Sequence, residues 1–163
     1  MRKAFGLMYM HNVQDQHPEG MLELLGASFV TTEDSIFGKP NVDYMIAERE
    51  WYDSQKCNVN PLQDIYGKVP VIWKDHAGIN DFICTNAVSY YIRNGTIQTV
   101  VQMRSNDVVF GYMNDYFWAK TVASRLAIDL DIGMNSDMFW QAQSLHIYPR
   151  HFHHVKAWCE ENL

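Results

Sequence analysis

The chain has 163 residues, 47% of them hydrophobic and 13% aromatic, which is enough for one domain with a real core and excludes a disordered segment. Its formal net charge of −6 excludes nonspecific binding to a nucleic-acid polymer, which requires a basic face, but a single nucleotide needs only a few local cations. Three cysteines without a CxxC pair, no apolar run near the ~20 residues that span a bilayer and no signal-peptide core point to a reducing, cytoplasmic setting without membrane contact.

In chain order, residues 21–30 (MLELLGASFV) read as a strand bent at Gly26, and 35–40 as a turn. Asn41 can cap a helix over 42–55, because Val42, Met45, Ile46 and Tyr52 recur at helical spacing. Residues 56–81 are loop-like apart from a short apolar run at 69–73. A hairpin over 84–104 follows. Asn94-Gly95 separates two β-rich runs, and a type I′ turn needs positive φ at both central residues. Pairing Arg93 with Thr96 sets Cys84 opposite Ser105 and next to Arg104. A helix from Asn114 or Asp115 to Leu130 would bury Phe117, Trp118, Val122, Leu126 and Leu130. Residues 144–148 alternate as a strand, with Leu145 and Ile147 on one side and His146 and Tyr148 on the other. Pro149 then opens a last helix over 150–161, burying Phe152, Val155 and Trp158. Helices interspersed with antiparallel strands make an α+β fold in a single domain, residues 1–163.

Chemistry concentrates between Cys84 and Asp115. Cys84 is the best nucleophile in the chain, because a thiol reacts as thiolate and a neighbouring cation, here Arg104, favours that form. From position alone, a buried inert cysteine is the commoner case. Arg104 with Ser105, in the run Arg104-Ser105-Asn106-Asp107, forms a natural phosphate clamp, though a surface salt bridge is equally ordinary. Asp115 can cap its helix, or accept a hydrogen bond from an exocyclic amine, as acidic side chains read cytosine N4. His146 and Tyr148 could reach one ligand hydroxyl from a shared face, or could simply be solvated. Glu48, in the helix beside Trp51, is either solvated or, if buried, able to shuttle protons. His151, His153 and His154 fit no standard ligand spacing, so no metal site is expected.

Together these motifs resemble the thymidylate synthase superfamily, most closely its bacteriophage deoxycytidylate hydroxymethylase branch. Cys84-Thr85-Asn86 and Met103-Arg104-Ser105-Asn106-Asp107 are similar to the nucleophile and phosphate motifs of that branch, and Gly111 with Asp115 to its pyrimidine-reading pair. Ser144-Leu145-His146-Ile147-Tyr148 resembles the His-x-Tyr that holds the sugar 3′-hydroxyl, and Glu48-x-x-Trp51 the segment carrying the catalytic glutamate. Thr85 stands where thymidylate synthases carry histidine. The resemblance implies a mixed or antiparallel sheet packed with helices, in a homodimer. It also implies C5 hydroxymethylation of dCMP with 5,10-methylenetetrahydrofolate, in the host cytoplasm if the gene is phage-borne. In that reading Cys84 adds to C6, Glu48 moves protons and Asp115 holds the cytosine edge. Arg104 and Ser105 grip phosphate, His146 and Tyr148 hold the deoxyribose, and Asn106 and Asp107 complete the substrate site.

The resemblance also implies a departure. Roughly sixty family residues, including a paired-arginine loop, have no counterpart between Asn80 and Asp81. A C5 transferase acting on CMP or dUMP, and a noncatalytic nucleotide-binding remnant of the family, are the alternatives.

Overall fold

The computed structural model of the chain describes residues 1–11, 19–53 and 84–163, with backbone alone for 51–53. The expected loop over 56–81 with its apolar run, Cys57 and the Asn80–Asp81 junction lie outside the described residues.

The elements are helix α1 (Arg2–Met10), strand β1 (Leu22–Thr31), helix α2 (Val42–Asp53), strands β2 (Thr85–Arg93) and β3 (Thr96–Asp107), helix α3 (Gly111–Asp129), strand β4 (Gly133–Ile147), and helix α4 (Phe152–Asn162) after a 3-10 turn at Pro149–His151. The four strands form one sheet in the order β1-β4-β3-β2. β1 and β2 run antiparallel to their neighbours, while β3 and β4 are parallel, joined by α3. The sheet is therefore mixed, as parallel neighbours require a crossover helix.

The hairpin forms as expected. Asn94 and Gly95 have φ of 52° and 72°, the pair of positive angles that a type I′ turn needs. The register sums to 189 from Arg93↔Thr96 through Ala87↔Gln102, then shifts by one at Thr85↔Met103. That bulge corrects the expected partner of Cys84. Its carbonyl accepts from the Arg104 N–H at 2.8 Å, so Cys84 faces Arg104 rather than Ser105.

Other elements depart from expectation for identifiable reasons. In α2, Asn41 Oδ1 accepts from the Tyr44 N–H at 3.1 Å, the expected cap. Among its described side chains the buried ones are Met45 and Glu48, with Val42 and Ile46 exposed, while the expected Tyr52 lies outside them. Helix α3 begins at Gly111, so Asp115 lies in its second turn and does not cap it. Its inner face is Tyr112, Met113, Tyr116, Ala119, Ala123 and Ala127, not the face through Phe117 and Leu126, and Leu130 is exposed. The alanines at four-residue spacing let the helix backbone approach the sheet closely. Strand β4 extends far upstream of 144, and α1 was not expected.

The core lies between sheet and helices. Val101 and Met103 of β3, Met138, Trp140 and Ala142 of β4, and Tyr112 and Tyr116 of α3 are all buried in one cluster. Trp140 packs on both tyrosines, with ring centroids at 4.9 and 6.5 Å. Helices α1 and α4 close the other end through Phe5 and Val155, and Phe152 and Trp158 pack against the same cluster. Among the described residues, no helix is long and apolar enough to cross a membrane.

Candidate active site

The bulge at the start of β2, the end of β3, the first turns of α3 and the last residues of β4 converge on one pocket of about 240 Å³. From the hairpin and β3 come Cys84, Ser105, Asn106 and Asp107; from the helices, Glu48 and Asp115; from β4, His146 with the adjacent Tyr148. Every site residue expected from sequence lines this pocket except Arg104, which meets it through the thiol: Arg104 Nη2 is 3.8 Å from Cys84 Sγ. A guanidinium donating to sulfur stabilises negative charge there and supports a nucleophilic role over an inert one.

Asn106 is buried, and its amide is engaged at both ends. Its Oδ1 accepts from Trp140 Nε1–H at 3.2 Å, and its Nδ2 donates to Asp115 Oδ2 at 2.9 Å. The amide thus holds the Asp115 carboxyl in one orientation. Gly111 makes room for it, since a Cβ there would lie 3.3 Å from Asn106 Nδ2. The Asp115 carboxyl is enclosed by protein yet opens onto the pocket. Burial first, and then the negative charge of Glu48, push its pKa well above the usual carboxylate range, against the Asn106 hydrogen bond. Glu48 is itself pushed up to about 7 by burial, opposed by the hydroxyl of Tyr44, which donates to its Oε1 at 3.2 Å. Two enclosed carboxyls that repel each other both have their pKa values raised, Glu48 to about 7, a setting suited to acid–base chemistry.

Asp107 Oδ1 accepts from the Val109 N–H at 3.0 Å, shaping the turn into α3. At the end of β4, the His146 ring lies edge-on to Tyr148 with centroids 5.0 Å apart, and Ser144 Oγ is 3.2 Å from His146 Nδ1. Burial raises the Tyr148 pKa, so its phenol stays protonated and able to donate.

Sequence reasoning missed Tyr44, Thr85, Phe110 and Asn114 in the pocket. Tyr44 had a signal, four residues before Glu48 on the same helical face. Phe110, 53% exposed, had none.

No protein-family model matches the chain. It is 34% identical to the deoxycytidylate 5-hydroxymethyltransferases of Enterobacteria phages T4 and T2, over 84% of this chain and 79% of each relative. That alignment runs over 198 positions, more than the 163 residues of the chain, so the relatives carry residues without a counterpart here. Among solved structures, thermostable thymidylate synthase A from Bacillus subtilis matches with a TM-score of 0.64 at 15% identity, covering 86% of this chain and 71% of that one. The thymidylate synthase of T4 phage matches at 0.63 and 17%, covering 91% and 79%. At these identities the structural matches establish the fold, and the sequence matches establish the lineage: the chain belongs to the deoxycytidylate 5-hydroxymethyltransferase family, built on the thymidylate synthase fold.

Proposed function

We propose that this chain hydroxymethylates dCMP at C5, using Cys84 as the nucleophile. The observation that carries the reading is the enclosed Asp115 carboxyl, held by Asn106 in the same pocket as the Cys84 thiol. A neutral carboxyl offers one acceptor and one donor. Cytosine offers the complement, an N4 amine that donates and an N3 that accepts. With Asn106 donating to Oδ2, a proton on this carboxyl would sit on Oδ1 and meet N3.

Cys84 Sγ forms a bond to C6, and the electron pair of the C5–C6 double bond moves to C5, which then attacks the incoming carbon. Methylenetetrahydrofolate, when bound, supplies a one-carbon unit at the oxidation level of formaldehyde. Phe110, half-exposed beside the pocket, fits such a partner, because it offers a flat apolar face for a heteroaromatic ring. Glu48, poised near neutrality, takes the C5 proton as the carrier's amine leaves, and orients the water that adds to the resulting exocyclic methylene. Release of Cys84 restores the double bond. Ser105, with Arg104 behind it, takes the phosphate, and His146 and Tyr148 take the sugar hydroxyl.

The same reading places the family segment without counterpart between Asn80 and Asp81 of a single domain, and sets the enzyme in a reducing cytoplasm, where its thiol survives. It also pairs two chains through the outer face of the sheet. There Val30 and Val100 both flank Phe139 in register, and Tyr91 shares the face.

Tritium release from C5-labelled dCMP, CMP and dUMP with methylenetetrahydrofolate tests the assignment. Release from dCMP, falling at least about a thousandfold in Cys84→Ser, is the expected outcome. Release from dUMP alone overturns the reading of Asp115, and dCMP binding without turnover overturns catalysis.

A further inference from the structure

At the His146 wall of the pocket, a second polar chain runs from β1 into β4. Glu23 is the cross-strand partner of His146, and Ser144 lies two residues before that histidine on the same face. Ser144 Oγ donates to Glu23 Oε1, and the same oxygen lies 3.2 Å from His146 Nδ1. A hydroxyl has one hydrogen. A carboxylate can only accept, so it claims that hydrogen, and the serine oxygen is left to accept from Nδ1–H. The direction of every hydrogen bond in the chain therefore follows from the charge at its outer end.

We propose that Glu23 and Ser144 are positioning residues that lock the neutral His146 ring in the Nδ1–H tautomer. Nε2 is then the basic nitrogen, suited to accept a hydrogen from a hydroxyl rather than to donate one. This deepens the functional reading and rests on it in one respect: the hydroxyl is taken to be the 3′-hydroxyl of the nucleotide. The lock selects for a sugar carbon that carries an O–H and against one that carries only hydrogen. Neither residue touches the nucleotide; both act through the ring. His146 is buried, so the other tautomer would set two acceptors, Nδ1 and the serine oxygen, against each other, which costs more in a buried site than in water.

Long-range proton–nitrogen NMR of the full-length chain with labelled histidines, with His146 assigned by a His146→Asn variant, reads the tautomer without any ligand. Protonated Nδ1 with bare Nε2 is expected. In Ser144→Ala, and in Glu23→Gln, whose amide can turn an N–H toward Ser144, the Nε2–H form should appear. Ser144→Thr, which keeps the hydroxyl, should restore the wild-type pattern. A wild-type ring protonated at Nε2 alone overturns the proposal.

Calorimetric affinities then test the consequence. Ser144→Ala should weaken dCMP about tenfold and change 2′,3′-dideoxycytidylate less than about twofold, because only the former has the hydroxyl to lose. Equal loss for both nucleotides would mean a merely structural role and overturn it. A wild-type chain that binds neither nucleotide removes the functional reading and the sugar-facing half of the proposal, while the ligand-free spectrum still decides the tautomer lock.

Discussion

At Asp115 the protonation state decides what base can be read. Enclosure first and then the charge of Glu48 push its pKa upward, and Asn106 donates to Oδ2, leaving Oδ1 for a ligand. An asparagine in the same place can turn its amide so that the oxygen faces position 3 of the ring and the N–H₂ faces position 4. That pattern suits the N3–H and O4 of uracil and clashes with cytosine, where donor meets donor. Asp115→Asn should therefore lower the dCMP-over-dUMP preference in kcat/KM by at least about a hundredfold, with dUMP accepted, since an unpaired buried polar group discriminates strongly. Competition kinetics by tritium release from both nucleotides measure it. Unchanged preference for dCMP would remove Asp115 from the reading role.

At the scale of elements, α2 meets the site by burying a carboxylate, Glu48, where an apolar residue would be the ordinary choice. Its pKa rises from 4.5 to about 7, so the folded state binds a proton the unfolded chain has released. The stabilisation is complete below pH 4.5 and is lost as pH rises toward 7, amounting to at most about 3 kcal/mol. Glu48→Gln keeps an acceptor for the Tyr44 hydroxyl but cannot ionise. In urea unfolding, the variant should gain stability relative to wild type across that window and hold the gain above it; parallel curves would contradict the burial. This feature shows where sequence stops being legible. Period and turn chemistry revealed the hairpin, because Asn94-Gly95 is a local signal, and with it the approach of Cys84 to Arg104. The bulge that chose Arg104 over Ser105 was not fixed by the sequence, because an asparagine such as Asn86 weakens a strand without specifying where it bulges. The inner face of α3 differs from expectation because Phe117, Trp118, Val122 and Leu126 are only partly buried, while Tyr112, Met113, Tyr116 and the alanines pack inside. The Trp140–Asn106–Asp115 and Glu23–Ser144–His146 chains join residues distant in sequence, so only the folded sheet reveals them.

For the whole molecule, the unbalanced feature is the sheet. One face is packed by α3, while the other carries Val30 at 55%, Phe139 at 47% and Tyr91 at 44% exposure, next to Gln102 donating to Gln141 at 3.1 Å. Among the described residues, nothing in the chain covers that face. Val30 and Phe139 are direct cross-strand partners, so the apolar patch is continuous across two strands rather than scattered. A second copy packed back to back would cover it, and two-fold symmetry places each of these residues in the interface twice. One charged substitution is then felt twice in the assembly while leaving the single chain's core intact. Phe139→Glu should convert a dimer into a monomer at micromolar concentration in sedimentation velocity, shifting the association constant by at least about a hundredfold, the scale of a central apolar anchor. Its unfolding in the monomeric regime should stay within about 1 kcal/mol of wild type, because the side chain leaves solvent rather than a core. A wild-type chain that sediments as a monomer at tens of micromolar would place the apolar patch outside any self-association and leave each active site to be completed within one chain.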